Sequence, residues 1–344
     1  MFRRPAEPHP QPRALSIWLL VVAAMILLMV MIGGITRLTE SGLSMVRWEP
    51  VSGAIPPLSA DQWQAEFDHY RATPQYQLTN SGMTLREFKN IFFWEYVHRL
   101  LGRLIGLAFA LPLLWFLWRR AIPPGFGIRL GGILALGALQ GVIGWWMVAS
   151  GLVDRPDVSH IRLAIHLLTA LLIFAAIVWV TLDLRALHER GDAKGAKMPL
   201  IGIWALCFLF LQFMFGAYVA GLDAGYAFNT WPRMGETVYP AGAEWMQPAL
   251  RNFADNPVTV QFVHRWLAFV VAGLALALAL RAWLRGLRIE AAALIGAVTA
   301  QIMLGILTIL SGVQIDIAVA HQGMAVLLLA AMLTAGHRLG EARP

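Results

Sequence analysis

The sequence predicts an all-α integral membrane protein. Its eight transmembrane helices form two tandem four-helix bundles related by a pseudo-two-fold axis along the membrane normal. Three observations carry this: long apolar runs dominate the chain, basic residues gather on alternate connections, and the two halves match each other. Of 344 residues 58% are hydrophobic and only 14% charged, with a mean hydropathy of +0.62. Soluble domains carry about 25% charged residues, so the solvent here is the lipid bilayer.

The runs, in order, are Leu15–Ile35, Ile91–Trp118, Ile128–Ala149, Ile161–Leu182, Leu200–Ala220, Val258–Leu280, Ala291–Leu310 and Ile317–Gly336. Each is near the ~20 residues needed to cross ~30 Å of hydrocarbon. The first is flanked by Arg3, Arg4 and Arg13 but is too long for a signal-peptide core and lacks a small-residue cleavage site, so it reads as an anchor. Residues 1–14 and 339–344 are tails, 15–184 and 199–338 the two units, and 185–198 the linker. The lone cysteine, Cys207, sits mid-span, excludes an intrachain disulfide and reads as a small buried apolar residue.

A net charge of +7 does not point to nucleic acid, because it has a topological explanation. Arg119, Arg120 and Arg129 follow the second span, Arg185, Arg190, Lys194 and Lys197 the fourth, and Arg281, Arg285 and Arg288 the sixth. The positive-inside rule places these short connections and both termini in the cytoplasm. The other side carries the long connections, 36–90 and 221–257, where ordinary connections have a median of ~4–6 residues. In the first, Ser59-Ala60-Asp61-Gln62 is a capping-box pattern, followed by Trp63, Phe67 and Tyr70 on one helical face. This predicts a short amphipathic helix on the membrane surface or over a cavity. A second box, Thr84-Leu85-Arg86-Glu87, leads into the second span.

Self-comparison gives the repeat. Gly42 and Trp48 match Gly225 and Trp231 at one separation of 183 positions, and Val97-His98-Arg99 matches Val263-His264-Arg265. Gln140, Gly144, Ser150 and Gly151 match Gln301, Gly305, Ser311 and Gly312, and His166 then pairs with His321. His160 would pair with His321 only in an ungapped alignment. An even number of spans per unit makes this a parallel repeat. Four histidines, His98, His166, His264 and His321, therefore stand near the outer ends of even-numbered spans, where an ionisable group is a functional-site candidate. His9, His69, His188 and His337 have no repeat counterpart and read as solvated or interfacial.

A compact zinc site would show close-spaced ligands, and none is present. Separations of 68 and 57 residues within the units suit one axial ligand from each of two helices on either side of a flat macrocycle, so two hemes are implied. The bland alternative is a polar helix contact, which repetition at four related positions disfavours. Arg99 and Arg265 follow two of the ligand candidates and are placed either to pair with heme propionates or to snorkel to headgroups. The halves differ at Glu95, one turn before His98, where the second half has Gln261. A carboxylate there serves as general base, proton relay or charge stabiliser, or as a partner orienting the ligand. The asymmetry predicts a first half that transforms a substrate and a second that holds a prosthetic heme.

Three segments carry a family resemblance: Gly34-Ile35-Thr36-Arg37-Leu38-Thr39-Glu40-Ser41-Gly42-Leu43-Ser44, the run from Phe93 to Arg103, and Gly221 to Met234 with its Asn229-Thr230-Trp231-Pro232-Arg233 core. Together they resemble the heme A synthases, in the branch shared by mitochondria and proteobacteria, over about Leu15 to Arg338. The resemblance implies oxidation of the C8 methyl of heme O to a formyl group through two hydroxylations and loss of water. It implies that His98 and His166 flank the substrate heme, that Glu95 assists there, and that His264 and His321 ligate a heme b. Another branch carries a cysteine pair in the first outer loop; residues 36–90 here contain none. No flavin, iron–sulfur or nucleotide motif is present, so electrons pass through the second heme or an external electron-transfer partner. Heme O synthase as donor of the substrate, and a homo-oligomer, stay open. The rival readings are a diheme b-type electron-transfer cytochrome and, more distantly, a transporter. The transporter expects broken midplane helices, whereas only Pro112 stands out inside a span. Trp63, Phe67, Tyr70, Trp231 and Tyr239 are candidates to cover the outer face of the site, although aromatic belts occur at any membrane interface.

Overall fold

The structure is a computed structural model and describes residues 9–49, 52–153, 155–191, 195–240 and 244–341. Eight long helices dominate the described residues: α1 Pro12–Leu38, α2 Leu85–Trp118, α3 Phe126–Val148, α4 His160–Arg190, α5 Leu200–Gly221, α6 Pro257–Leu284, α7 Arg288–Leu310 and α8 Ile315–Gly340. All eight are long and apolar enough to cross a bilayer, so this is a multi-pass membrane protein. Their ends follow local chemistry. Pro12 and Pro257 sit in first turns, where a missing N–H costs nothing. Ser159 and Asn256 cap α4 and α6 by accepting backbone N–H groups, and Gly191 closes α4 at φ 73°. The α2 helix runs unbroken through Pro112.

The neighbours follow a pattern. Around the first half α1 packs on α2 and α4, and α3 on α2 and α4; around the second α5 packs on α6 and α8, and α7 on α6 and α8. Between the halves α4 meets α5, α1 meets α8, and α4 meets α8; α8 also touches α6. Apart from that last contact, the pairings are unchanged when each helix is exchanged for the one four places on. One apolar core runs through both halves, from Leu19 and Phe109 through Ile177 and Leu184 to Leu278 and Leu329.

The outer connections differ. With 34 residues, α2 is about 50 Å long and outruns ~30 Å of hydrocarbon. Its extra outer turns, begun by the Thr84–Glu87 capping box, carry Phe88 and Phe92. Against them packs the helix Ala60–Arg71, whose Ser59–Gln62 capping box forms as the sequence predicts. Phe67, Tyr70, Phe88 and Phe92 make a second, separate core with Trp63 and Tyr76 around it. Tyr70 is fully buried; its hydroxyl donates to Gln75 Oε1 at 3.0 Å and accepts from Asn80 Nδ2 at 2.8 Å. The amphipathic helix thus lies on the end of α2. The second connection has no such cluster among its described residues; it holds the short helix Asn252–Asp255 and turns stitched by Asn252 and Asn256 side chains.

Two sequence expectations need correction. Cys207 is exposed on the outer surface of α5, because its face of the helix has no neighbour. His337 is 1% exposed. Its Nε2 meets Asp183 Oδ1 of α4 at 2.8 Å, and Arg129 of α3 donates to the other carboxylate oxygen at 2.7 Å. Trp179 lies edge-on to the ring at 4.9 Å. His9, His69 and His188 are exposed, as expected.

Candidate functional site

Each of the four repeat-related histidines projects from an even-numbered helix against a glycine of an odd-numbered one. A Cβ built at Gly144 of α3 would stand 3.0 Å from His166 Cε1, at Gly216 of α5 3.0 Å from His264 Cε1, and at Gly305 of α7 2.9 Å from His321 Cε1. At Gly33 of α1 it would stand 3.4 Å from His98 Nε2. Small residues let helix backbones approach closely, and here the space is filled by an imidazole. All four rings are only partly buried. Two of the rings stand in each half, His98 with His166 and His264 with His321. No group of three or more histidine, cysteine or acidic side chains placed to hold a metal ion occurs among the described residues.

Glutamines hold three of the rings. Gln140 Nε2 lies 3.1 Å from His166 Nδ1 and donates to the His166 carbonyl at 2.9 Å. Gln212 repeats this on His264 with the same distances. Gln301 reaches His321 Nε2 at 3.5 Å. Such partners fix an imidazole's orientation. The Oε1 atoms of all three glutamines are buried without a hydrogen-bond donor, as is His321 Nδ1. Sequence comparison finds Gln140 and Gln301 as matching positions but gives them no role, and passes over Gln212.

Above the rings, both halves use the next turn to fasten the outer loop. Arg99 donates to the carbonyls of Met45 at 2.8 Å and Arg47 at 3.2 Å. Arg265 donates to the carbonyls of Phe228 at 2.6 Å and Thr230 at 2.7 Å, the repeat-related positions. Glu95 is buried; its Oε2 accepts from Ser44 Oγ and Met45 N, both at 2.7 Å, and its Oε1 from Arg99 at 3.0 and 2.5 Å. Gln261 instead donates to the Phe228 carbonyl at 3.0 Å. The arginines thus hold loop backbone, a role the sequence reading did not give them. Trp48 stacks on Trp145 of α3 and Trp231 on Phe269 of α6, while the Tyr239 hydroxyl bonds Thr259. His160, the rejected ligand candidate, lies 3.0 Å from Asp255 and ties the outer end of α4 to the second half.

The residues present fit a flat iron macrocycle in each half. Each half supplies two partly exposed imidazoles, glycines give them room, and bundle cores of this kind hold iron macrocycles through such ligands. Helical bundles carrying two such histidines per half define a class of polytopic membrane protein. Within it, residues 16–333 match the COX15-CtaA family, described as cytochrome oxidase assembly protein, and the chain belongs to that family. It is 54% identical over 338 residues to the heme A synthase of Rhizorhabdus wittichii, covering 98% of this chain and 97% of the relative. The heme A synthases of Sphingopyxis alaskensis and Novosphingobium aromaticivorans are 49% and 48% identical, covering 96% and 98% of this chain and 94% and 99% of theirs.

Proposed function

We propose that this protein oxidises the C8 methyl of heme O to the formyl group of heme A for terminal oxidases, with the substrate between His98 and His166. A heme b sits between His264 and His321. The observation that carries the reading is the recurrence of two partly exposed imidazoles in each half, every ring set on a glycine of a neighbouring helix. The relatives named as heme A synthases, matched over nearly their whole length, support it.

When bound, the iron supplies the oxidation chemistry. The protein's part is to hold and orient. His98 and His166 place the substrate beneath the first outer loop, which Glu95 and Arg99 fasten through the Ser44 hydroxyl, the Met45 amide and the Met45 and Arg47 carbonyls. This closes the outer side against water and engages both carboxyl oxygens of Glu95, one turn above His98, with donors of that loop and Arg99. Arg265, tied to loop carbonyls, retains a buried Nε without a partner that a carboxylate at the outer edge of the second site would satisfy. Residues 15–184 form the substrate unit and 199–338 the prosthetic unit, in the cell inner membrane with both termini cytoplasmic; the matching helix neighbours support the division.

The deciding experiment expresses the protein beside a heme O source, extracts heme and separates it by chromatography. Heme A is the expected product. Heme O returned unchanged, with both sites loaded, would favour the electron-transfer cytochrome. Glu95→Gln should lower heme A while leaving bound heme intact.

A further inference from the structure

His98 is held unlike the other three rings. Among the described residues no polar group hydrogen-bonds it, whereas glutamines reach His166, His264 and His321. The separation of 183 positions that relates Gly33 to Gly216 brings Met29 to the place of Gln212. Met29 lies on the side of α1 that faces α2, its methyl 3.4 Å from where a Cβ would stand at Gly102, one turn beyond His98. The ring is also turned. The atoms nearest a Cβ at Gly33 are His98 Nε2 and Cδ2, at 3.4 and 3.6 Å, while those nearest a Cβ at Gly216 are His264 Cε1 and Nδ1, at 3.0 and 3.6 Å.

An amide hooked at once to a histidine's carbonyl and its Nδ1 edge stops the ring from rotating. A thioether is a weak acceptor with no donor and does neither. Partners of this sort change metal affinity about 10–100-fold. We propose that His98 is the exchangeable axial ligand of the first half, and that Met29 makes it so by withholding the amide. In the loaded protein His98 would give up its bond to iron and a small neutral ligand would take that place, one bond exchanged for another with no change in electron count. His166, His264 and His321 stay bound. The exchangeable face then lies on the α2 side, the side that carries Glu95. Met29 is a positioning residue, and the proposal rests on the assignment of one heme to each half.

The test uses full-length protein purified with its hemes, reduced, and exposed to carbon monoxide while absorbance is followed; heme is counted separately by extraction. The wild type should carry two hemes and bind carbon monoxide at one. Met29→Gln should slow or weaken that binding about 10-fold or more. Gln212→Met should make the second heme reactive as well, and Met29→Leu should leave the wild-type pattern. Unchanged binding in Met29→Gln with both hemes retained overturns the proposal. Should Met29→Gln fail to fold, Gln212→Met decides alone: a second reactive heme supports the proposal and its absence overturns it. Fewer than two hemes in the wild type would overturn the two-heme assignment itself, and the proposal with it.

Discussion

The two halves share a frame and differ in how tightly their outer ends are fastened. In the first, a buried ion pair, Glu95–Arg99, grips the loop at four points, and an aromatic cap of Phe67, Tyr70 and Phe88 braces the overhanging end of α2. In the second, Gln261 and Arg265 grip backbone carbonyls without a carboxylate. The imidazoles run the other way: both rings of the second half have glutamine partners, and only one ring of the first does. Fastening is therefore concentrated on the imidazoles in the second half and above them in the first. This is the pattern expected if one heme must only stay and the other must be changed under cover.

Ligand removal probes the contrast most strongly. His264→Ala should strip the second heme, with a loss of affinity above the ~10–100-fold that an orienting partner alone is worth. His98→Ala should leave more heme bound, through the glutamine-held His166. Heme stoichiometry in the purified variants checks this; equal losses at both positions would show that the halves hold their hemes alike.

Next in size is the loop clamp. The side chains of Glu95 and Arg99 are 3% and 15% exposed, so Glu95→Ala leaves a cation largely buried without its counter-ion, at a cost of about 3–5 kcal/mol. Gln261→Ala removes one neutral hydrogen bond from a carbonyl that Arg265 still reaches, costing about 1 kcal/mol. Proteolysis within residues 42–49 and 225–234 should rise steeply in the first variant and little in the second. A similar rise in both would break the comparison.

The glycine seats give a smaller contrast. A Cβ at Gly305 comes within 2.9 Å of the His321 ring, so Gly305→Ala must displace it, an overpacking cost of about 1–3 kcal/mol. At Gly33 the contact is 3.4 Å, an ordinary one, and alanine should be accepted. Thermal melts with heme absorbance as the readout separate the two. Equal destabilisation would mean that His98 is seated as tightly as His321.

Most of the scaffold was legible in the sequence because hydrophobic length alone sets a membrane helix. The run Ile91–Trp118 ends where α2 ends, and the Thr84 box marks its start. The histidines were legible because a repeat makes a lone polar residue count twice. Gln212 escaped for the same reason in reverse: its counterpart is Met29, so no match draws attention to it. Neither were the seats legible, since four glycines among 31 carry no mark of what lies opposite them. His337 was misread because the groups that bury it, Asp183 and Arg129, come from other helices far along the chain. Nor does sequence show that Arg99 and Arg265 turn to loop carbonyls, since a helix end beside headgroups or propionates has the same pattern.

The weakest expected effect tests whether the outer seam between the halves contributes at all. At the inner end the halves are joined by buried groups, His337 with Asp183. At the outer end, besides His160–Asp255, the halves are joined by Arg37–Asp223 at 2.8 Å, with Asp223 52% exposed. Such a pair is worth at most about 1 kcal/mol and is screened by salt. Arg37→Ala should therefore lower the melting temperature slightly at low ionic strength and not at all in high salt. A larger, salt-independent loss would mean that Arg37, at the end of the helix that seats His98, also holds the first outer loop in place. The contrast between a reacting half closed from above and a prosthetic half gripped from within would then have to include the seam between them.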